Sequence, residues 1–307
     1  MRHRVRLPRR LGDRFPVRTA EAVGLRPGRY STPDLHRPFR GIRSVEVPTT
    51  FHDFVDCYVP RLKPAQRFGG MTAARDWGLP MPTKWTSKEP LDIFVPWSGA
   101  PPKTPGVRGR RMREDRAETR TLRGHPVIDP VAALFTCAAT LTVTQAVIVL
   151  DALLTTASNY PDLGPGRPLS TRSEITRRLE EWERFRGRAT IRAALPQARE
   201  LVESPKETET RLLLIDSGLP EPVVQHEVWV DGQFLGRTDL AYPEWKIAFE
   251  YEGDGHRTDK DQWRKDIQRQ RCLESAGWIV IRLTQADLDE PELLIARVRS
   301  AIASRSK

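Results

Sequence analysis

Apolar and polar residues in the last third of the chain alternate with the periods of strands and helices. Ser204, Pro205 and Glu207 predict a helix start, with Ser as the N-cap and Pro as the first helical residue. The elements predicted after this helix are strands over 223–230, 234–241 and 245–252, helix 260–276, strand 278–283 and helix 290–303. The resulting order, α-β-β-β-α-β-α, predicts an α/β sandwich of about 100 residues.

The chain before this sandwich has a weaker pattern. Residues 1–20 are rich in arginine and lack an apolar stripe, so we expect a basic, disordered arm. Residues 21–203 are expected to form a mainly helical domain, with a strand over 91–97 and two buried helices that break near 140–142. The third predicted region, residues 204–307, is the α/β sandwich.

Charge is distributed unevenly along the 307 residues, which carry a net charge of +10. Residues 1–48 contain twelve arginines against four acidic residues, a net charge of +8, whereas residues 206–307 have a net charge of −4. A second basic stretch, 108–123, contains seven arginines. Such an asymmetry indicates a polyanionic partner such as DNA.

Several classes of protein are disfavoured by composition. The three cysteines are far apart and lack a CxxC spacing, which argues against a disulfide framework or a structural zinc site and favours the cytoplasm. The N-terminal arginines are not followed by an apolar segment of the secretory type. The most apolar stretch, 131–150, is interrupted by threonines and a glutamine, so no membrane span is expected.

Carboxylates cluster on the predicted sheet. Alternation along the third strand places Glu250 and Glu252 on one face, and a short turn at Glu244 brings Asp239 of the preceding strand close to Glu250. Glu207 can approach from the preceding helix. Carboxylates that converge repel one another, and a divalent cation relieves this repulsion. Oxygen ligands favour Mg²⁺ or Mn²⁺, which can activate water for phosphodiester hydrolysis.

Three further residues are candidates for the same chemistry. His256 follows the third strand in a Gly-Asp-Gly-His loop and can act as an acid or base. Asp266 and Arg269 lie one turn apart on the next helix, where they can support the site or contact phosphate. The alternatives are structural: alternating glutamates are common on a solvated sheet face, and an Asp–Arg pair is common on a helix surface.

At these residues the sequence resembles a known family. The matching segments are Ser204-Pro-Lys-Glu-Thr208, Gly236-Arg-Thr-Asp-Leu-Ala-Tyr-Pro243, Glu250-Tyr-Glu-Gly253 with His256, Asp266 with Arg269, and Gly277-Trp-Ile-Val-Ile-Arg282. They resemble the domain of unknown function related to very-short-patch-repair endonucleases, within the PD-(D/E)XK restriction-endonuclease-like superfamily. The resemblance implies that Asp239 and Glu250 are metal ligands and that Glu207 is the helix acid. Glu252 occupies the position where the superfamily pattern has Lys.

The front of the chain is also similar to a family. The segments 34–43, 71–80 and 126–134 resemble antitoxin-type regulators of the AbiEi kind, which usually begin with a winged helix. Only a residual piece, about 19–45, corresponds to that module here.

Two main functions follow from these observations. The first is a metal-dependent DNA endonuclease acting in repair, defence or a toxin–antitoxin-type system. The second is a non-catalytic DNA-binding antitoxin or transcriptional regulator that keeps a degenerate nuclease fold. A third alternative is a partner-binding protein with a basic tail that aids solubility. The pathway, the sequence preference and a homodimeric state are left open.

Overall fold

The computed structural model describes residues 6–164, 166–252 and 260–306, apart from the side chains of residues 260–266. The chain divides into two compact units. The first extends to Thr140 and also includes Trp182–Arg188, and the second comprises Leu141–Glu181 and Ala189–Lys307. Each unit mixes helices and strands. Within the described residues, no helix has the length and apolar character needed to cross a bilayer.

The first unit contains a two-stranded sheet and a five-stranded sheet. The small sheet pairs β1 with β2, and the large sheet has the order β5-β4-β3-β7-β6. Its strands are β1 (Arg14–Pro16), β2 (Ile42–Ser44), β3 (Arg67–Phe68), β4 (Leu91–Pro96), β5 (Val107–Met112), β6 (Thr119–Leu122) and β7 (His125–Ile128). Its helices are α1 (Val17–Ala22), α2 (Pro27–Tyr30), α3 (Phe51–Tyr58), α4 (Gly70–Asp76) and α5 (Pro130–Cys137).

The N-terminal region differs from the expectation drawn from its sequence. We expected disorder over residues 1–20, but β1 and α1 begin within that stretch, and Leu11, Phe15 and Ala20 are buried in a small apolar cluster. The expectation of a mainly helical region before residue 204 also fails, because this region contains the five-stranded sheet. The strand predicted over 91–97 is confirmed as β4, but the other strands of this sheet have only two to six residues, too few to produce a clear alternation.

The second unit begins with helices and ends with a four-stranded sheet. Its helices are α6 (Val143–Leu154), α7 (Arg172–Glu181), α8 (Arg188–Ala194), which starts at the boundary, α9 (Pro205–Asp216), α10 (Lys260–Ser275), α11 (Gln285–Asp289) and α12 (Pro291–Arg305). Its strands are β8 (Val223–Val230), β9 (Gln233–Tyr242), β10 (Ile247–Tyr251) and β11 (Ile279–Leu283). The predicted order from α9 onward is therefore confirmed, with the short α11 as an addition.

The sheet of the second unit has the order β11-β10-β9-β8. Strand β9 pairs antiparallel with both β8 and β10, and β11 runs parallel to β10. Val230 pairs with Gln233, so the turn between β8 and β9 has the two residues Asp231 and Gly232. Both have positive φ, 49° and 78°, as a type I′ hairpin turn requires. The hairpin predicted at this Asp-Gly pair is confirmed.

The two faces of this sheet bury different clusters. On one face, Ile247 and Phe249 of β10 pack with residues of α9 and α12, and Tyr251 packs against the same cluster. On the other face, Ala248 packs with Leu273 of α10. The alternation predicted for β10 is therefore confirmed. Its glutamate lies on the same face as Ala248, because successive even-numbered residues of a strand share a face.

Candidate functional site

Asp239 and Glu250 lie opposite each other on neighbouring strands. The pairs Ile247–Tyr242, Ala248–Ala241 and Phe249–Leu240 fix the register of β10 against β9. One further step in this register aligns Glu250 with Asp239. The backbone N–H of Tyr251 donates to Oδ2 of Asp239 at 2.9 Å. This side chain therefore continues the hydrogen bonding between β9 and β10 beyond the last backbone pair.

The turn between these strands produces this alignment. It contains the 3₁₀ turn Pro243–Trp245 followed by Lys246, which has a left-handed φ of 49°. This four-residue connection joins Tyr242 directly to its partner Ile247. Its length lies within the three to five residues that the sequence predicted, and the side chains of Asp239 and Glu250 consequently occupy the same face of the sheet.

Glu207 lies in the first turn of α9 and is only 4% exposed. Ser204 caps this helix, as predicted, and its hydroxyl accepts from the Glu207 N–H at 3.2 Å. In a capping box the Glu207 carboxylate would accept from the backbone N–H of Ser204. Here it accepts from the backbone N–H of Glu203 instead. Its Oε2 accepts from Glu203 N at 2.9 Å and from Nε2 of Gln225 at 2.8 Å.

Glu207 and Asp239 influence each other's ionisation. Burial, together with the negative charge of Asp239, raises the pKa of Glu207 to about 8. Burial also raises the pKa of Asp239, against the hydrogen bond from Tyr251 N and the positive charge of Arg269. The fold therefore brings two carboxyl groups together in a poorly solvated place, where ionisation of both is unfavourable.

The two glutamates of the Glu-x-Glu pattern both contact arginines. Glu250 is 6% exposed, and its Oε2 accepts from Nη2 of Arg269 at 3.1 Å. The same guanidinium donates through Nη1 to the carbonyl of Arg237 at 3.0 Å. Glu252 lies just beyond β10, and its Oε1 accepts from Nη1 of Arg282 at 2.6 Å. Arg269, predicted to support the site or contact phosphate, thus lies against a carboxylate.

Two predicted residues cannot be placed in this geometry. His256 lies outside the described residues. Asp266 belongs to α10, but its side chain is not described. The proposed acid–base role of His256 and the supporting role of Asp266 therefore stay predictions.

Several neighbours of the site were missed by sequence reasoning. Gln225 binds Glu207, and Arg282 binds Glu252. Glu203 forms an ion pair with Arg237 and accepts from Nδ2 of Asn159 at 2.6 Å. Arg237 and Arg282 lie in segments that carry the family resemblance, but nothing in those segments indicated these contacts, and Gln225, Glu203 and Asn159 lie outside them. Arg282 could have been found from the pairing of β10 with β11, because this register places it beside Glu250.

The carboxylates of the site supply oxygen atoms, the ligand type that Mg²⁺ and Mn²⁺ prefer. Among the described residues, no group of three or more His, Cys, Asp or Glu side chains is arranged to hold a metal. The hydrogen bonds found there use Oε2 of Glu207 and Oδ2 of Asp239, and none of them uses Oε1 or Oδ1. Mg²⁺ commonly binds one or two carboxylates and keeps several waters, so two acidic side chains would be enough ligands from the protein.

The arginines of the basic stretch 108–123 mostly form contacts within the first unit. Arg108 and Arg110 approach Oδ1 of the buried Asp92 at 3.3 and 3.7 Å. The other contacts of these arginines are Arg111 with the carbonyl of Gly99, Arg113 with Asp115, Arg116 with the carbonyls of Trp182 and Arg184, Arg120 with Glu118, and Arg123 with Asp76. Phosphate binding by this stretch would therefore compete with existing partners.

Comparisons with known proteins give relatives but no family. No model of a known protein family matches the chain, and no solved structure matches it at a significant level. Two curated proteins of Mycobacterium tuberculosis, from two strains and both described as uncharacterized, are 34% identical to it over 128 residues. The match covers 41% of this chain and 47% of each relative, so the chain spans about half the length of the curated relatives it matches.

Proposed function

We propose that the chain is a metal-dependent endonuclease that hydrolyses phosphodiester bonds in DNA. The observation that carries this proposal is the alignment of Asp239 with Glu250 on neighbouring strands, with the buried Glu207 near enough to Asp239 for that charge to raise the pKa of Glu207. The order of elements from α9 to α12 also supports a restriction-endonuclease-like sandwich. The proposed setting is the cytoplasm, and the proposed cofactor is Mg²⁺ or Mn²⁺.

The site residues have separate roles in this proposal. Asp239 and Glu250 would hold the cation, and Glu207 would assist from the helix side. A bound Mg²⁺ or Mn²⁺ would polarise the phosphodiester and lower the pKa of an attacking water. Arg269 and Arg282 hold their glutamates in place and present positive charge beside the site. The remaining proton transfer is assigned to His256, with Glu252 assisting.

Asp239→Asn is the most direct test, because it keeps the shape of the side chain and removes its charge. We expect Mg²⁺- or Mn²⁺-dependent nicking of supercoiled DNA to fall at least a hundredfold while DNA binding in a gel-shift assay persists. Glu244→Gln, on the exposed turn between β9 and β10, is the matched control and should nick normally. Absence of metal-dependent cleavage of duplex, mismatched and single-stranded DNA by the unaltered protein would refute the proposal.

A non-catalytic DNA-binding regulator is the second candidate. The contacts of Glu250 with Arg269 and of Glu252 with Arg282 favour it, because two of the clustered carboxylates already have positive partners. The lack of the motif lysine at Glu252 points the same way. A protein whose melting temperature is unaffected by Mg²⁺ and Mn²⁺, yet which shifts its own promoter DNA, would support this candidate over the first.

A further inference from the structure

Gln225 interrupts the regular geometry of β8 at the site. Val224 pairs with Leu240 and His226 with Thr238, so Gln225 lies opposite Asp239 between these two pairs. Its φ is 51°, in the left-handed region that residues with a side chain rarely adopt. Asp239 is therefore flanked by Gln225 on one neighbouring strand and by Glu250 on the other.

The side chain of Gln225 is directed at the helix acid. Its Nε2 donates to Oε2 of Glu207 at 2.8 Å, and the N–H of Glu203 donates to the same oxygen at 2.9 Å. Two donors on one oxygen fix the orientation of the carboxyl plane. Neither of these bonds uses the second oxygen, Oε1. A non-glycine residue held in a left-handed conformation is commonly found where a site needs its side chain in one place.

We propose that Gln225 is a positioning residue, which holds Oε2 of Glu207 so that Oε1 is presented to a divalent cation shared with Asp239. The inference rests on the proposed function and extends it to a residue that no metal-ligand pattern would select. Gln225 does not contact the cation in this arrangement. It acts through the orientation of Glu207, as neighbours of metal ligands do in other sites, where their loss typically lowers metal affinity about 10- to 100-fold.

Three substitutions in the full chain distinguish the effect of the Gln225 side chain from the effect of its backbone conformation. Gln225→Glu keeps the shape but replaces the donor with an acceptor. Gln225→Ala removes the side chain and keeps the unfavourable backbone conformation, whereas Gln225→Gly removes the side chain and adopts positive φ readily. Gln233→Ala, on the exposed start of β9 in the same hairpin, is the matched control. The measurements are Mn²⁺ affinity by titration calorimetry and the melting temperature without metal.

We expect all three Gln225 variants to bind Mn²⁺ about 10- to 100-fold more weakly than the unaltered protein, with Gln225→Gly melting at least as high as Gln225→Ala. A purely structural role would instead make Mn²⁺ affinity follow the melting temperature. If the unaltered protein binds Mn²⁺, Asp239→Asn does not, and Gln225→Glu binds normally, the inference is wrong while the proposed function stands. If the unaltered protein binds no Mn²⁺, both are overturned.

Discussion

Replacing Glu207 with Gln should remove a large pH dependence from the stability of the second unit. The carboxyl group is buried beside Asp239, and its pKa rises from 4.5 to about 8. Gln is nearly isosteric and carries no charge at any pH. Its side-chain oxygen can still accept the two hydrogen bonds that Glu203 N and Gln225 Nε2 now donate to the carboxylate. The substitution therefore tests ionisation with little change in packing.

The sign and size of the effect follow from linkage. Between pH 4.5 and about 8, the folded chain keeps the Glu207 proton after the unfolded chain has lost it. Protonation of this group therefore favours the folded state fully below pH 4.5, and the contribution disappears as the pH rises through about 8. A pKa rise of this size is worth about 5 kcal/mol, since each unit corresponds to about 1.4 kcal/mol.

Urea unfolding at pH values from 5 to 9, without metal, measures this contribution. We expect the free energy of unfolding of the unaltered protein to fall by about 4 kcal/mol relative to Glu207→Gln over that range, since the assay covers about three of the units by which the pKa rises. Glu209→Gln is the control, because Glu209 lies two residues along the same helix in a half-exposed pair with Lys206. Parallel pH profiles for the unaltered protein and Glu207→Gln would show that Glu207 ionises normally and would refute the reasoning.

Three other substitutions have defined outcomes. Arg211→Met should cost about 3–5 kcal/mol in urea unfolding, because Arg211 and its partner Asp151 are both fully buried and the change leaves an uncompensated charge. Gly187→Ala should lower stability by about 3 kcal/mol, since φ is 86° and the new Cβ would lie 2.4 Å from neighbouring backbone. Arg269→Met should tighten Mn²⁺ binding about threefold to tenfold by calorimetry, because the glutamate of β10 loses a positive partner, whereas the exposed Arg271→Met should not.

Local signals were sufficient to predict the elements of the sandwich. Ser204 and Pro205 fix the start of α9, Asp231-Gly232 fixes the first hairpin, and Gly277 ends the segment of α10 with a φ of 82°. Each signal depends on a few adjacent residues, so it can be recognised without knowledge of the tertiary structure. The register of Asp239 against Glu250 followed from the same information, because alternation and a short turn determine it.

Apart from β4, the strands of the first unit's large sheet could not be predicted in the same way. Strand β3 has only two residues. Strand β5, at the sheet edge, has the sequence Val-Arg-Gly-Arg-Arg-Met and lacks the alternation of apolar and polar residues that a strand with one buried face shows. Two of those arginines reach Asp92, which is buried on β4. The segment therefore looked like a basic arm, because the acidic partner that accounts for its charge lies on another strand.

The contacts that define the candidate site were hidden for a related reason. Glu250 and Arg269 are separated by 19 residues in the chain, and Glu207 and Gln225 by 18. Neither pair has a helical or strand spacing, so each exists only because α9 and α10 are near this sheet. The positive φ of Gln225 is likewise a tertiary property, since neither glutamine nor its neighbours favour it.

The charge of the site at neutral pH is much smaller than four carboxylates suggest. Glu250 and Glu252 are balanced by arginines, Glu207 stays protonated up to about pH 8, and burial raises the pKa of Asp239 as well. The repulsion that led us to expect a metal is thus relieved by two guanidinium groups and a proton. A cation must displace that proton, so its affinity should rise as the pH approaches 8. The clustering of carboxylates alone therefore does not distinguish a nuclease site from a nuclease-like scaffold. The pH dependence of cation binding does, because only a site that binds the cation in competition with the Glu207 proton shows it.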